Sequence, residues 1–133
     1  GRKINLFVEF KTLRGVTMEE IEKLRNDIKY SLLRIGIRAN LRGFKYLCTA
    51  VELSILYPDL NLCNGIFVQV SDMYNTPYHS VERDIRFAIN LIKKSKSFLK
   101  LNKMFSKKVV QNDTKLTSGK LINLLVKYYL KRK

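Results

Sequence analysis

The chain has 133 residues, and its 26 Lys and Arg outnumber its 11 Asp and Glu, which gives a formal net charge of +15. With 46% hydrophobic and 28% charged residues, its composition is that of a globular protein with one domain and a buried core. The two prolines and six glycines form no linker and no low-complexity segment. No apolar run is long enough to span a bilayer, so we expect no membrane-spanning segment.

The first third of the chain is predicted to contain an arm and two helices. Apolar and polar side chains alternate over residues 4–10, which predicts that residues 1–16 form an N-terminal arm or short strand. Thr17 and Glu20 have the spacing of a capping box, and they predict a helix that ends at Gly36. The predicted buried face of this helix is Met18, Ile21, Leu24, Ile28, Leu32 and Leu33. A second helix is predicted from Arg42 to Tyr57. Its predicted inward residues are Leu47, Val51, Ile55 and either Leu53 or Ser54.

The middle of the chain has the pattern of two helices separated by a tight turn. After a predicted loop over residues 61–65, a short first helix is predicted from Phe67, Val70 and Tyr74. Asn75 favours the left-handed backbone that turns the chain sharply. Thr76 is predicted to cap the second helix with its hydroxyl, and Pro77 to occupy the first helical position. Spacings of three and four predict the buried face of this helix: Val81, Ile85, Ala88, Ile89 and Ile92.

The opposite face of this helix, at about 77–94, is polar and carries groups that form hydrogen bonds with base edges in a major groove. These residues are Tyr78, His79, Glu82, Arg83, Arg86 and Asn90. Two helices joined by a tight turn with such a face are typical of a helix-turn-helix that binds DNA. The alternative is a plain helical hairpin with a solvated face, in which Arg83 pairs with the neighbours of Asp84 or with Asp72, and Glu82 pairs with Arg86.

Positive charge is concentrated in the last third of the chain. Residues 93–133 contain 13 basic residues and one acid, Asp113, whereas residues 1–92 contain 13 basic and 10 acidic residues. Such an excess gives sequence-independent affinity for nucleic acid through the release of counterions. The alternative is a solubilising tail, which the high apolar content of the segment disfavours.

Two more helices are predicted in this basic segment, over residues 97–104 and 119–131, the latter after a start at Thr117 and Ser118. The inward residues of the last helix are predicted to be Leu121, Ile122, Leu125 and Tyr129. The candidate phosphate contacts are Lys107, Lys108 and Lys115 between these helices, together with Thr76 and Tyr78. An expected DNA-binding surface therefore combines a polar helix face with lysines from a later loop.

Several strings of the chain resemble the C-terminal DNA-binding domain of the sporulation master response regulator of endospore-forming bacteria. Residues 35–47 are similar to that family's Ile-Gly-Val-Pro-Ala-His-Ile-Lys-Gly-Tyr-x-Tyr-Leu, and residues 75–89 are similar to its recognition helix. The two patterns align without a gap from Val81 to Thr117, and the resemblance covers about residues 17–130. It implies a compact all-α domain that places its recognition helix in the major groove and controls transcription, often as two copies on tandem sites.

One departure from the family pattern affects the expected specificity. The family has an arginine before its Val-Glu-Arg string, whereas this chain has Ser80. A long base-contacting group is thus replaced by a short hydroxyl, which removes roughly 1–3 kcal/mol of base discrimination. His79 and Asp84 also replace a serine and an alanine of the family. The resemblance implies that Glu82, Arg83 and Arg86 lie on or beside the DNA-facing surface. The loss of the arginine at Ser80 is enough to change or blur the preferred DNA sequence.

The sequence as a whole predicts an all-α bundle of about five to six helices with a helix-turn-helix over residues 17–133, preceded by the short arm. We expect a DNA-binding transcription regulator that acts on double-stranded DNA in the cytoplasm, associated with the nucleoid. The alternative is a protein-interaction module of the same fold that binds or antagonises a related regulator or RNA polymerase. Further candidate partners are a sigma factor and a second copy of the chain.

Other classes of function have less support in the sequence. One histidine, scattered carboxylates and the lack of a glycine-rich phosphate loop offer no constellation for catalysis, so we expect no enzyme, no cofactor and no metal. RNA binding lacks its usual aromatic signature, and binding to a membrane surface through residues 93–108 is weaker still. Cys48 and Cys63 lack the close spacing of a metal or redox motif, and both are predicted to be reduced, buried thiols.

Overall fold

The computed structural model describes residues 17–131, and this part of the chain is all helical. Its α-helices are α1 Met18–Arg34, α2 Arg42–Leu56, α3 Phe67–Met73, α4 Tyr78–Lys94, α5 Lys100–Phe105 and α6 Ser118–Lys131. A π-helical turn over Leu62–Ile66 precedes α3, and a 3-10 turn over Ser97–Leu99 precedes α5. The prediction of a bundle of about five to six helices with a helix-turn-helix is confirmed. The arm predicted for residues 1–16 lies outside the described residues.

Helix α1 begins at the predicted capping box. The Thr17 hydroxyl accepts a hydrogen bond from the Glu20 amide at 3.1 Å, and the Glu20 carboxylate accepts one from the Thr17 amide at 3.2 Å. Two backbone donors that the helix leaves unpaired are thereby satisfied. The helix ends at Arg34, and Gly36 then takes a left-handed φ of 100°. A Cβ at Gly36 would lie 2.6 Å from the Ser97 Cβ, so this turn needs glycine for both its conformation and its close contact.

Helix α2 is the central element, because it packs against α1, α3, α4 and α6. Its buried apolar residues are Phe44, Tyr46, Leu47, Ala50, Val51, Leu53 and Leu56. It lies close against α4 at Gly43, where an added Cβ would lie 2.2 Å from the Asp84 carbonyl oxygen. A backbone oxygen cannot rotate aside as the end of a side chain can, so the approach requires glycine. Gly43 therefore sets how closely α4 sits on the centre of the domain.

A polar contact inside the domain joins α6 to α1. The Tyr129 hydroxyl donates to the Asp27 carbonyl oxygen at 2.7 Å and is also hydrogen-bonded to the Ser31 hydroxyl. Ser31 is only 3% exposed, so its hydroxyl needs a partner within the protein. The predicted inward face of α6 is confirmed, since Leu121, Ile122, Leu125 and Tyr129 are all buried. Packing and hydrogen bonding together fix the last helix against the first.

Some predicted burials and helix ends are wrong. Met18 and Leu33 of α1 are 46% and 49% exposed, although both were expected to be buried. Leu33 follows the buried Leu32 and therefore points about 100° away from it around the helix. Met18 lies in the first turn, outside the stripe that packs on the core. Ile55 of α2 is only half-buried, and α2 ends one residue earlier than predicted.

The segment before α3 also differs from its prediction. Residues 61–65 were expected to be a loop, but the Asn61 side-chain oxygen accepts hydrogen bonds from the amides of Cys63 and Asn64 at 2.9 and 3.0 Å and starts the π-helical turn. Cys63 lies exposed on this turn, so its predicted burial is wrong. Cys48 is partly covered by its neighbours in the fold, and this burial raises the pKa of its thiol to about 12. Both cysteines are free, as predicted.

Candidate nucleic-acid interface

Helices α3 and α4 are joined by a short turn over residues 74–77. Asn75 has a φ of 49°, so its predicted left-handed conformation is confirmed, and the Thr76 amide donates to the Ser71 carbonyl oxygen at 3.0 Å. The predicted cap is wrong, because Pro77 is the N-cap residue, with a ψ of 146°, and no side chain caps α4. Since Pro77 is still extended, the helix begins one residue later than the sequence indicated. Thr76 consequently contributes to the turn through its backbone.

The inward face of α4 is the predicted one. Val81, Ile85, Ala88, Ile89 and Ile92 are all at most 2% exposed. These residues recur every three or four positions, so they form a single stripe along the helix, and the stripe packs on α2 and α3. The rotation of α4 about its axis is thus fixed by packing. The side of α4 that faces solvent is determined as a result.

The outward side of α4 carries the side chains predicted to contact bases. His79, Arg83, Arg86 and Asn90 are exposed, whereas Ser80 and Glu82 are half-buried at the two flanks of this face. The Arg83 Nε lies 3.6 Å from an Asp84 carboxylate oxygen, and its side chain remains 60% exposed. Among residues 17–131, Arg86 and Glu82 form no ion pair with each other, and Arg83 forms none with Asp72. The Glu82–Arg86 and Arg83–Asp72 pairs of the plain-hairpin alternative are therefore absent from this part of the chain, and Arg83 lies near Asp84 instead.

Tyr78 lies in the first turn of α4 and packs against neighbouring side chains. Its ring meets that of Phe67 edge to face, with the ring centroids 6.2 Å apart. Burial, with a smaller contribution from the Cys63 thiol, raises the pKa of the Tyr78 hydroxyl. Tyr78 and Thr76 are both half-buried. The hydroxyl of Tyr78 is thus held close to the start of the outward face.

The predicted phosphate-contacting lysines lie exposed in the segment between α5 and α6. They are Lys107, Lys108 and Lys115. The Asn102 side chain of α5 supports this segment, because its carbonyl accepts from the amides of Val109 and Val110 at 2.7 and 2.9 Å and its NH2 donates to the Val110 carbonyl at 3.0 Å. Val110 and Leu116 are buried and anchor the segment in the core. The lysines therefore project from a backbone that is held at several points.

The excess charge of this region is unneutralised in the described structure. Residues 93–131 contain eleven lysines and a single acid, Asp113. No ion pair within residues 17–131 involves any of these lysines; the pairs that do form involve Arg25 and Arg83. Lysine is a compact, mobile point charge that suits phosphate contact better than the recognition of a particular base. The surface is thus chemically suited to a polyanion.

A second charged cluster lies inside the domain rather than on this surface. Glu52 is only 3% exposed, and its carboxylate accepts a hydrogen bond from the Arg25 Nε at 2.7 Å. Burial raises the pKa of Glu52, and the hydrogen bond from Arg25 opposes that rise. The pair joins α1 to α2, so its role is structural.

Among residues 17–131, no group of three His, Cys, Asp or Glu could hold a metal ion.

Two surface features near α4 were missed by the sequence analysis. Phe87 is 55% exposed although it is a large apolar residue, and it lies on the outward side next to Arg86. Arg38, in the loop between α1 and α2, lines a small cavity together with Leu91 of α4, so it brings a further cation beside this helix. The exposure of Phe87 was detectable from the helical spacing, because Phe87 falls outside the inward stripe. The position of Arg38 depends on tertiary packing and had no signal in the sequence.

The chain was compared with known proteins. The family model described as "Sporulation initiation factor Spo0A C terminal" matches residues 28–129, which is well over half of the chain. The chain belongs to the Spo0A C-terminal family. This family is the DNA-binding domain of a sporulation regulator and not an enzyme family, so the resemblance seen in the sequence is confirmed. The match begins within α1 and ends within α6, and thus includes the whole of α3, the turn and α4.

No curated protein matches the chain. Within the described residues, every helix is too short or too polar to cross a lipid bilayer.

Proposed function

We propose that this member of the Spo0A C-terminal family regulates transcription by placing α4 in the major groove of DNA, while lysines between α5 and α6 contact phosphates. The observation that carries the proposal is the outward face of α4. Its inward stripe is fully buried, and its other side presents Arg83, Arg86 and Asn90 to solvent without a strong partner. An α-helix fits the width of the major groove, and these side chains have the donors and acceptors that distinguish base pairs.

The side chains of α4 have separate roles in this arrangement. Arg83 and Arg86 donate paired hydrogen bonds to guanine O6 and N7 or to a phosphate, and Asn90 is suited to adenine N6 and N7. Glu82 accepts from the cytosine amino group. Ser80 and His79 supply shorter contacts at the start of the helix. Base preference therefore depends chiefly on the two arginines, because each forms two hydrogen bonds in one plane.

The phosphate contacts fix position and orientation without reading sequence. Thr76 and Tyr78 lie at the start of α4, where the free backbone amides also favour an anion. Lys107, Lys108 and Lys115 extend the contact beyond the groove. Each neutralised phosphate releases a counterion, so affinity falls steeply as the salt concentration rises.

The test is fluorescence anisotropy with labelled duplexes, one with the family's TGTCGAA-type box and one with a scrambled sequence, at low and moderate salt. Arg86→Ala is expected to weaken binding to the preferred duplex by about 1–3 kcal/mol, roughly 5-fold to 150-fold. Arg34→Ala, which removes the same charge from α1, is the control and is expected to change affinity less than about twofold. Lys107→Ala is expected to reduce the slope of log K against log salt by about 1 on either duplex.

The outcomes separate the possible functions. If the family box is preferred and Arg86→Ala removes the preference, the domain keeps the family's target despite Ser80. Equal, salt-sensitive binding to both duplexes supports DNA binding with another target, which selection from random duplexes would identify. Failure to bind at low salt would refute the proposal and favour a protein-interaction module of the same fold.

A further inference from the structure

Phe87 is the large apolar residue on the outward face of α4. Its side chain is 55% exposed, and no ring contact within residues 17–131 involves it. It follows Arg86 directly and lies one turn after Arg83, so it shares the side of the helix that carries the arginines. Leu91, one turn further on, is 37% exposed and continues the apolar surface. The polar face is thus interrupted by a short apolar strip.

The packing of α4 in the fold does not depend on Phe87. The inward stripe of α4 already supplies five buried apolar residues, and α4 keeps its place through them and through the close contact at Gly43. An exposed aromatic ring leaves apolar area in water that burial against a partner would remove. Phe87 is consequently available to a partner that approaches the outward face of α4.

We infer that Phe87 is a specificity-determining residue that recognises the C5-methyl group of thymine. The inference rests on the proposed placement of α4 in the major groove. The thymine methyl is the apolar group that base edges present in that groove, and phenylalanine is among the side chains that contact it. Arg83 and Arg86, beside Phe87, bind guanine edges or phosphates at the same time and hold the ring against the neighbouring base.

The experiment first selects a preferred duplex from a random pool and then replaces its thymines by uracil, one position at a time. Uracil keeps every hydrogen-bonding group of thymine and lacks only the methyl, so the substitution isolates the apolar contact. At one or two positions next to the Arg83 or Arg86 contact, wild-type protein is expected to bind the uracil duplex about fourfold more weakly, the effect of exposing one methyl group.

Phe87→Ala is expected to bind thymine and uracil duplexes equally. Leu33→Ala is the matched control, because Leu33 is 49% exposed on α1, and it is expected to keep the thymine preference. Circular dichroism checks that each variant is folded. We expect both to fold, because both side chains are exposed.

Two results would overturn the inference. One is equal binding of wild-type protein to every uracil duplex. The other is a Phe87→Ala variant that keeps the wild-type ratio of affinities for the thymine and uracil duplexes. That result is expected if the ring contacts another protein surface and not the methyl group. In either case, continued weakening by Arg86→Ala would leave the DNA-binding proposal intact. Loss of that arginine effect and of salt dependence would instead refute the proposed function itself.

Discussion

Gly43 of α2 lies against the backbone of α4, and its replacement by alanine tests how tightly the two helices are packed. The added Cβ would sit 2.2 Å from the Asp84 carbonyl oxygen, so the helices would have to separate by about 1 Å to reach ordinary contact. Such overpacking costs about 1–3 kcal/mol. Alanine is the better helix former by up to about 1 kcal/mol, which offsets part of that cost.

Gly119 provides an internal control for this prediction. Like Gly43, it is the second residue of its helix, so the change in helix propensity is the same for both. An added Cβ at Gly119 would meet only the end of the Leu62 side chain, at 3.3 Å, which is flexible enough to move. The difference between the two variants therefore measures the backbone clash.

The measurement is thermal unfolding followed by far-UV circular dichroism. Gly119→Ala is expected to unfold at or slightly above the wild-type temperature. Gly43→Ala is expected to be less stable than Gly119→Ala by about 2 kcal/mol, which for a chain of this length lowers the melting temperature by about 7 °C. Equal melting temperatures for the two variants would refute the claim that α2 and α4 are in backbone contact at Gly43.

Two further side chains give predictions of stability. Tyr129→Phe removes the hydroxyl that pairs with buried Ser31, and it is expected to lower the free energy of unfolding by about 1–3 kcal/mol in urea titrations. Tyr30→Phe, on an exposed ring, is its control, and an equal loss there would contradict the reasoning. Asn102→Ala removes all three hydrogen bonds to the segment before α6 and is expected to speed amide hydrogen exchange at Val109 and Val110. Asn102→Asp retains the acceptor and is expected to show a smaller effect, so similar exchange in both variants would count against this support.

Much of the fold could be predicted from local signals in the sequence. The inward stripe of α4 followed from spacings of three and four, because a helix repeats every 3.6 residues and apolar side chains seek the core. The capping box at Thr17 and the left-handed Asn75 depend on neighbouring residues only, and both are found in the structure. The similarity of residues 35–47 and 75–89 to the family pattern predicted the family of the domain, and the family match confirms it.

The features that sequence reasoning missed depend on contacts between distant segments. Spacing placed Leu33 on the inward face, but no core element covers that side of α1 and the residue is exposed. The close approach of Gly43 to Asp84 and the hydrogen bonds of Asn102 become visible only when the segments are folded together. The predicted cap of α4 was wrong for a local reason. Pro77 can occupy either the first helical position or the N-cap position, and its ψ decides between them.

The different surroundings of the two cysteines make selective chemical labelling possible without mutagenesis. Thiolates, not thiols, react with maleimides, and burial of Cys48 both raises the pKa of its thiol and limits access to it. Cys63 is exposed on the turn before α3 and adjoins Tyr78 at the start of α4. A fluorophore on Cys63 would therefore sit at the edge of the candidate interface and report directly on the docking of a duplex. The native chain thus has a reporter position of its own for following binding in real time.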